Sequence, residues 1–331
     1  MPDREFLSDS RVVVTGAGGF IGGWLVREMI ARGARTVRAV DVKPKEAWFQ
    51  IHSSAENVVA DLHAPDACAR ACDGMDHVFN LAADMGGIGF IEGNKAACMT
   101  SVVINTNMLL AALKTKPARY FYSSSACIYP AARQHATDDA PLREDDAYPA
   151  DPEDGYGWEK LFSERACRHF HEDHGLPVRI ARLHNVYGPN GSYIGGREKA
   201  PAAICRKVIE AKLSGSREIE VWGDGEQTRS FLYVSDCVEG IFAIAQSDVP
   251  DPLNVGSAER VTVNHLIDIV EELAGVKLAR RYVDTAPKGV RGRSSDNTKI
   301  RERLGWEPSI RLAQGMEKTY AWIYDQMKSS R

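Results

Sequence analysis

The stretch that decides the fold runs Val12-Val13-Val14-Thr15-Gly16-Ala17-Gly18-Gly19-Phe20-Ile21-Gly22, near the start of the 331-residue chain. Its β-branched part predicts a buried strand, and the residues from Phe20 to Arg32 predict a helix. Glycine is needed between the two because a tight strand-to-helix turn leaves no room for side chains. The free N–H groups at the start of such a helix attract the phosphates of a dinucleotide. The stretch therefore predicts the first unit of a dinucleotide-binding sheet.

Strands and helices alternate through the rest of the first half. Runs rich in β-branched and aromatic residues predict strands at 37–41, 57–61, 77–81, 120–124 and 178–182, and helices are predicted between them at 64–72, 94–114 and 156–174. Alternation of this kind is typical of parallel strands joined by crossover helices. We therefore expect an α/β protein with a Rossmann-type, doubly wound parallel sheet covered on both faces.

The second half has a less regular pattern. It predicts helices at 200–212, 238–246, 263–274 and 311–328, and strands at 219–222 and 231–234. We expect a smaller α+β unit interleaved with returns to the main sheet. The predicted division assigns residues 1–184 and 229–256 to a cofactor-binding Rossmann domain, and residues 185–228 and 257–331 to a substrate-binding domain.

Composition and charge narrow the functional class. Hydrophobic residues make up 44% of the chain and charged residues 26%, as in an ordinary globular protein. The net charge of −4 argues against a nucleic-acid binder, and a short basic stretch around Arg280, Arg281, Lys288, Arg291 and Arg293 suggests a local anion site instead. The seven scattered cysteines indicate free thiols in a reducing compartment and complete no zinc site.

The sequence has no pattern typical of a signal peptide or of a membrane-spanning segment. Its first ten residues carry charges and lack an apolar core, so we expect no signal peptide. The longest uncharged run, 96–113, contains hydroxyl and amide side chains and is expected to form a buried helix. We expect a cytoplasmic protein with no membrane or nucleic-acid partner.

Acidic residues at the ends of the second and third strands point to the nucleoside half of the cofactor. A carboxylate at Asp41 would accept hydrogen bonds from the adenosine ribose and repel the 2′-phosphate of NADP, which favours NAD, although Lys43 argues weakly against this. Asp61 and Leu62 could reach the adenine, but an exposed aspartate at a strand end fits this position equally well. The predicted phosphate contacts are Gly16, Gly19, Phe20, Ile21 and Gly22.

A tyrosine and a lysine one helical turn apart form the candidate catalytic pair. Tyr156 and Lys160 stand at i and i+4 of a predicted helix and therefore share one face. A nearby ammonium favours a phenolate, so we expect Lys160 to lower the pKa of Tyr156 and make it a usable base. Ser125, which ends a run of three serines after a predicted strand, adds a hydroxyl. The glycine turn, the serines and this pair, in this order, predict oxidation of an alcohol.

These motifs together resemble the extended short-chain dehydrogenases/reductases that act on nucleotide sugars. The likeness includes residues 80–83, expected beneath the cofactor, and Trp306 in a C-terminal Leu-Gly-Trp. Within that family the chain resembles more narrowly the GDP-mannose 3,5-epimerases, through five longer segments: 81–87, 124–130, 196–202, 222–231 and 289–293. Leu81, Ala82 and Ala83 are accordingly added to the expected cofactor contacts, beside Tyr156 and Lys160.

The resemblance implies a chemistry that the side chains can carry. Tightly bound NAD oxidises C4 of the hexose, and the ketone acidifies the protons on C3 and C5. Cys127 then acts as the base and Lys199 as the acid, and the ketone is finally reduced by the same cofactor to give GDP-L-galactose or GDP-L-gulose. From the residues alone, Cys127 could equally be a core thiol and Lys199 a solvated lysine.

Further contacts are expected around the substrate. Asn185, Lys207, Arg229 and Arg293 are candidates for the diphosphate, because arginine and lysine suit phosphate oxygens. The full set of expected substrate contacts is Gly86, Gly87, Ser125, Ala126, Cys127, Asn185, Glu198, Lys199, Ala200, Lys207, Gln227, Thr228, Arg229 and Arg293. The resemblance also implies a homodimer built on the helices at 94–114 and 156–174, and no metal ion.

Other activities fit parts of the same pattern. The nearest alternative is a GDP-4-keto-6-deoxymannose 3,5-epimerase/4-reductase, which uses NADPH and has a histidine where Lys199 stands here. A 4,6-dehydratase would carry an Asp-Glu pair where Ala126 and Cys127 stand, and a simple 4-epimerase would leave Cys127 and Lys199 without a role. A catalytically inactive NAD-sensing module on the same fold is a more remote alternative.

Overall fold

The computed structural model describes residues 4–287 and 289–329. Its strands are β1 (Arg11–Thr15), β2 (Thr36–Asp41), β3 (Glu56–Val59), β4 (His77–Asn80), β5 (Arg119–Ser125), β6 (Val178–Leu183), β7 (Val186–Tyr187), β8 (Glu218–Trp222), β9 (Thr228–Ser230), β10 (Leu232–Tyr233), β11 (Leu253–Val255), β12 (Arg260–Thr262), β13 (Ala279–Val283) and β14 (Gly292–Arg293). Its helices are α1 (Phe20–Ala31), α2 (Pro65–Cys72), α3 (Ile88–Gly93), α4 (Lys95–Thr115), α5 (Asp154–His174), α6 (Ala200–Ser214), α7 (Val234–Gln246), α8 (Val263–Ala274), α9 (Thr298–Leu304) and α10 (Leu312–Ser329).

Seven strands form one parallel sheet, in the order β11-β6-β5-β4-β1-β2-β3. The chain moves outward from β1 to β3 and then crosses to β4 on the other side of β1, so the strand order reverses between β1 and β4. Open α/β sheets bind ligands at such a point, beyond the carboxyl ends of the strands. The predicted Rossmann fold is confirmed, and Thr15, Asn80 and Ser125 lie at the ligand-binding edge.

The two faces of the sheet carry separate apolar layers, because successive side chains of a strand point in opposite directions. Val12 and Val14 of β1 belong to one cluster, which includes Phe79, Phe121 and Phe242, and Val13 belongs to the other. The second cluster is built with helices α2, α4 and α5, the last of which carries the predicted tyrosine and lysine. Both faces of this helix-bearing sheet are therefore buried, and α5 is held firmly against β5.

Helix α4 is long and apolar enough to span a membrane by length and composition alone. In the fold it packs between α2 and α5 on the face of the sheet. Its buried Asn105 accepts hydrogen bonds from Asn80 and Tyr120 at 3.0 Å, both within the domain core. One face of α4 thus lies in the core, whereas Met99, Val103 and Leu110 on the helix are exposed, so the prediction of a buried helix holds only in part.

Several predicted element bounds were wrong. Strand β3 ends at Val59 because the Asp61 carboxylate accepts a hydrogen bond from the backbone N–H of His63 and turns the chain. The predicted strand at 231–234 shortens to Leu232–Tyr233, and α7 begins at Val234 rather than at residue 238. Asp236 favours this early start, since its carboxylate in the first turn accepts hydrogen bonds from the backbone of Ser309 and Ile310.

The second half forms small sheets around the carboxyl edge of the main one. Strands β12, β9 and β14 form one, β13 pairs with β8, and β10 pairs with β7, while β11 adds to the main sheet beside β6. The predicted boundary between residues 228 and 229 falls inside β9. The division into two domains stays a prediction.

Candidate active site

The glycine turn after β1 is closed to side chains. A Cβ on Gly22 would lie 2.2 Å from the carbonyl oxygen of Gly16. Gly16 itself has a φ of +69°, and a Cβ on it would lie 3.0 Å from the carbonyl of Leu81. Gly19 precedes α1 and has no side chain to cap the helix, so the first N–H groups of α1 stay available for an anion. The turn therefore fits a pyrophosphate, as its sequence predicts.

Asp41 and Lys43 shape this turn from the side of β2. The Asp41 carboxylate accepts hydrogen bonds from the backbone N–H of Gly18 and of Lys43, each at 3.0 Å. The Lys43 ammonium donates to the carbonyl of Gly18 at 2.8 Å. Lys43 is therefore held at the glycine turn, which weakens the argument that it serves a 2′-phosphate. Asp41 stays a candidate for the ribose contact and also stabilises the glycine turn through its hydrogen bond from Gly18.

A segment from the second half fastens over the start of α1. The Trp24 indole N–H donates to the carbonyl of Pro189 at 2.9 Å, and Gly191 lies against the ring of Phe20, which a Cβ would approach to 3.2 Å. We call residues 188–191 the strap. On the opposite side, the Trp48 ring packs on Gly18, where an added Cβ would lie 2.6 Å from it. No sequence pattern pointed to Trp48, because it lies in an irregular loop.

Thr15 fixes the backbone after β4. Its hydroxyl donates to Asn80 at 2.7 Å and accepts from the N–H groups of Leu81 and Ala82, each at 3.2 Å. This holds residues 81–83 beside the glycine turn, where the sequence predicts them. The side chain of Leu62 lies in the apolar core, and the contact of Asp61 and Leu62 with adenine stays a prediction.

Tyr156 and Lys160 lie in the first turns of α5, both almost fully buried. The Lys160 ammonium donates to the carbonyl of Ser123 at 3.0 Å and to the hydroxyl of Tyr122 at 3.3 Å, and lies 5.6 Å from the centre of the Tyr156 ring. Burial raises the pKa of Tyr156 well above its usual value, and the nearby Cys127 and Glu159 raise it further. The expected lowering by Lys160 is thus wrong for the protein alone.

Ser125 and Cys127 stand at the end of β5, beside the start of α5. The Ser125 hydroxyl accepts a hydrogen bond from the N–H of Cys127 at 3.2 Å and also interacts with the Tyr156 hydroxyl, which opposes the rise of the Tyr156 pKa. The Cys127 carbonyl accepts from the N–H of Glu153 at 3.0 Å, and Gly157 leaves room for it. Cys127 is half-buried and packs in one cluster with Tyr156. Tyrosine, serine and thiol therefore meet at one point.

Lys199 precedes α6 and approaches the same point from the second half of the chain. Burial lowers the pKa of Lys199, while the charges of Cys127 and Cys237 act in the opposite direction. Its ammonium makes no hydrogen bond or ion pair within residues 4–287 and 289–329. A half-buried amine near a thiol, with no structural partner among these residues, is a suitable proton donor.

Two arginines predicted to bind the diphosphate, Arg293 and Arg229, lie near Cys127 and are already hydrogen-bonded within the protein. The Arg293 guanidinium lies 3.7 Å from the Cys127 sulphur, donates to Gln134 at 2.6 Å and pairs with Glu153. Arg293 is thus held beside the thiol, and its contact with the diphosphate stays a prediction. Arg229 donates to the carbonyls of Thr228 and Val290, and burial lowers its pKa to about 10.

The remaining predicted substrate residues belong to several segments, and two of these segments are in contact. A Cβ on Gly87 would lie 2.4 Å from the carbonyl of Glu198, so the 86–87 and 198–200 segments touch. Arg197, which the sequence did not single out, joins them through Asp84 at 2.8 Å and the Phe90 ring at 3.6 Å. The other members are Gly86 beside Phe90, Ala126 in the core beside Cys127, Ala200 at the start of α6, and Thr228 in β9.

Three polar residues of the predicted set have side-chain hydrogen bonds to backbone carbonyls. The side chain of Asn185 donates to the carbonyl of Ser230 at 3.1 Å. Lys207 donates to the carbonyl of Glu220 at 3.1 Å and faces the Trp222 ring, and burial lowers its pKa. Gln227 donates to the carbonyl of Trp222, while its own amide oxygen is buried without a hydrogen bond from the described residues. That oxygen is available to a ligand donor.

The expected anion site in the basic stretch is wrong for the residues that the structure describes. Arg280 pairs with Asp268, Arg281 with Glu218 and Glu220, and Arg291 with Asp224. Each of these arginine charges therefore has an acidic partner within the protein. Lys288 lies outside the described residues.

The comparisons with known proteins agree with this geometry. Residues 12–256 match the model of the NAD dependent epimerase/dehydratase family. The chain is 45% identical over 322 residues to GDP-mannose 3,5-epimerase 1 of Oryza sativa subsp. japonica, covering 97% of this chain and 83% of that protein. It is 44% identical to the GDP-mannose 3,5-epimerase of Arabidopsis thaliana, covering 97% and 84%. The crystal structure of UDP-glucose 4-epimerase from Thermotoga maritima has the same fold, with a TM-score of 0.86 at 24% identity over 96% of this chain and 99% of the other.

Proposed function

The chain belongs to the NAD dependent epimerase/dehydratase family, and from that premise we propose that it is a GDP-mannose 3,5-epimerase. The observation that carries the proposal is the position of Cys127, which packs with Tyr156 and interacts with Lys199. A reaction at C4 alone needs only the tyrosine and its lysine. A thiol and a half-buried amine near one another supply a base and an acid for carbon-bound protons.

The cofactor is NAD, and the glycine turn, Asp41 and Lys160 are the residues that would hold it. When bound, NAD supplies the oxidation of the sugar at C4 and the later reduction. Lys160 uses two of its three N–H donors on Ser123 and Tyr122, which leaves one for a hydroxyl of the cofactor ribose. The Asp41 carboxylate repels a 2′-phosphate, in accord with NAD rather than NADP.

The side chains of this protein then move the protons. Tyr156 removes the proton of the O4 hydroxyl, and the Ser125 hydroxyl orients that oxygen through its own hydrogen bond. With a ketone at C4, the protons on C3 and C5 become acidic, so the Cys127 thiolate can take one of them. Cys127 passes that proton to solvent or to the Lys199 amine before it takes the second. Lys199 returns a proton to the carbon, and its lowered pKa makes that transfer easier. Tyr156 finally gives its proton back to O4 as the ketone is reduced.

The proposal is tested by proton NMR of the purified protein with GDP-mannose in heavy water. We expect deuterium at C5 and C3, and new GDP-hexose signals for the galactose and gulose epimers. Exchange at C5 alone would narrow the product to the C5 epimer. If no exchange occurs with added NAD, and GDP-4-keto-6-deoxymannose with NADPH is turned over instead, the epimerase/reductase alternative replaces the proposal.

We also propose that the protein is a homodimer joined through α4 and α5. These two adjacent helices expose large apolar side chains: Met99, Val103 and Leu110 on α4, and Trp158 and Phe162 on α5. A surface of this kind on a soluble protein usually marks an interface. A second copy with the same surface would cover it around a two-fold axis.

The dimer is tested by Phe162→Glu, which places a charge at a residue that is 56% exposed in the single chain. We expect light scattering after gel filtration to give twice the 36.5 kDa chain mass for the wild type and one chain mass for the variant. Phe49→Glu is the matched control, because Phe49 is 42% exposed but lies far along the chain in the loop after β2. A wild type of one chain mass would contradict the proposal.

A further inference from the structure

Arg197 joins the segment that carries Lys199 to the first half of the chain. One nitrogen of its guanidinium donates to the Asp84 carboxylate and to the Met85 carbonyl, each at 2.8 Å. The central carbon of the guanidinium lies 3.6 Å from the centre of the Phe90 ring, which makes a cation–π contact. Three different groups of the 84–90 segment therefore hold a single arginine side chain.

The backbones of the two segments are in contact at the same place. The N–H of Gly87 donates to the Arg197 carbonyl at 3.0 Å. A Cβ on Gly87 would lie 2.4 Å from the Glu198 carbonyl, so glycine permits this close approach. An exposed ion pair alone restrains a chain weakly, whereas the guanidinium and backbone contacts together fix the distance between the segments.

The residues that bind the Arg197 guanidinium also lie beside the proposed base. Met85, Phe90 and Cys127 pack against the same buried apolar cluster. Lys199 follows Arg197 by two residues and is the last residue before α6. Arg197 therefore connects the surroundings of the thiol with the segment that carries the amine.

We propose that Arg197 is a positioning residue, which holds the Lys199 amine opposite the Cys127 thiol. The inference rests on the proposed function, in which Cys127 takes a proton from C5 or C3 and Lys199 returns one to the other face of the carbon. Inversion of that carbon needs both groups at the substrate. When Lys199 is displaced, the Cys127 thiol still exchanges its proton with solvent and returns a deuteron to the original face. Reduction at C4 then gives GDP-mannose that carries deuterium but keeps its configuration.

The test is Arg197→Gln, which removes the charge and the planar guanidinium. The holoenzyme receives saturating GDP-mannose in heavy water, and proton NMR separates deuterium in GDP-mannose from deuterium in the inverted GDP-hexoses. We expect the initial ratio of inverted to uninverted product to fall about 10- to 100-fold, because a misplacement of about 1 Å costs a rate up to about 100-fold. A general loss of stability or of substrate affinity would lower both products and leave their ratio unchanged.

Two matched variants accompany this test. Asp84→Asn weakens the same connection from the first half of the chain, so it should lower the ratio too, and it serves if Arg197→Gln fails to fold. Arg301→Gln is the control, because Arg301 on α9 is 52% exposed, Arg197 is 46% exposed, and each has a carboxylate partner. Arg301→Gln should keep the wild-type ratio.

A second measurement needs no substrate. Acetylation of lysine amines by acetic anhydride in the NAD-bound enzyme, followed by mass spectrometry, reports how accessible Lys199 is. We expect its labelling to rise several-fold in Arg197→Gln and in Asp84→Asn, and to stay at the wild-type level in Arg301→Gln. Equal losses of inverted and uninverted product, or wild-type labelling of Lys199 in both test variants, would overturn the inference. Raised labelling without any turnover of GDP-mannose would contradict the proposed function and leave the placement of Lys199 by Arg197 supported.

Discussion

Cys127→Ala is expected to stop deuterium exchange at C5 and C3 while leaving the oxidation of C4 intact. The thiol is the proposed base for the carbon-bound protons, and loss of such a base lowers a rate by about 10³-fold. Tyr156, Ser125 and Lys160 remain, so added GDP-mannose should still convert bound NAD to its reduced form, seen by near-ultraviolet absorbance. The measurement is that absorbance together with the NMR exchange rate.

The control for Cys127→Ala is the same change at Cys72. Cys72 lies on α2 in the core cluster built around Val13, and its removal touches none of the proposed machinery. We expect Cys72→Ala to cost about 1 kcal/mol of stability and to keep both signals. Exchange at C5 that survives Cys127→Ala would assign the base to another residue, and loss of both signals would assign Cys127 to binding or to C4 chemistry.

Tyr156→Phe is expected to abolish both the absorbance of reduced NAD and the deuterium exchange at C5 and C3. The protons on these carbons become acidic only after C4 has been oxidised, and that oxidation requires removal of the O4 proton. Loss of a general acid–base group lowers rates by about 10²- to 10⁴-fold, and here every later step depends on it. Phenylalanine keeps the ring that packs on Cys98 and Ile91, so NAD content should be retained. The measurements are again the near-ultraviolet absorbance of reduced NAD and the NMR exchange rate at C5 and C3.

Tyr120→Phe is the matched control for Tyr156→Phe. Tyr120 is a fully buried tyrosine of β5 whose hydroxyl bonds to Asn80 and Asn105, away from Cys127. Its loss should lower the free energy of unfolding by about 1 kcal/mol and leave turnover within a few-fold of the wild type. Normal exchange by Tyr156→Phe would contradict the role of the tyrosine.

The elements that sequence patterns predicted best are those with local causes. Helix α8 was predicted with its observed bounds, because Thr262 caps its start by accepting from the His265 N–H and Gly275 ends it in the left-handed conformation. The early start of α7 depends instead on Asp236 and on Ser309, far along the chain. A pattern read over a dozen residues cannot contain a contact of that range.

The features of the candidate site also differ in whether local sequence or distant packing determines them. The glycine turn, the tyrosine and the lysine were predictable because their chemistry needs particular residue types at particular spacings, whereas Cys127 was singled out only through the family resemblance. The direction of the Tyr156 pKa was not predictable, since burial and Glu159 act through packing of α5 on β5. Nor was the pairing of Arg293 with Glu153, because arginine alone suggests phosphate equally well.

The strap affects how strongly the protein depends on the NAD pool of its surroundings. Residues 188–191 are fastened over the start of α1 by Trp24 and Phe20, and Trp48 closes the other side of the glycine turn. We expect these contacts to slow the release of a dinucleotide held at that turn, and the proposed reaction does not require its release. Each molecule then keeps its own oxidant from one turnover to the next. Output follows the supply of sugar nucleotide and is insulated from the metabolic balance between oxidised and reduced NAD.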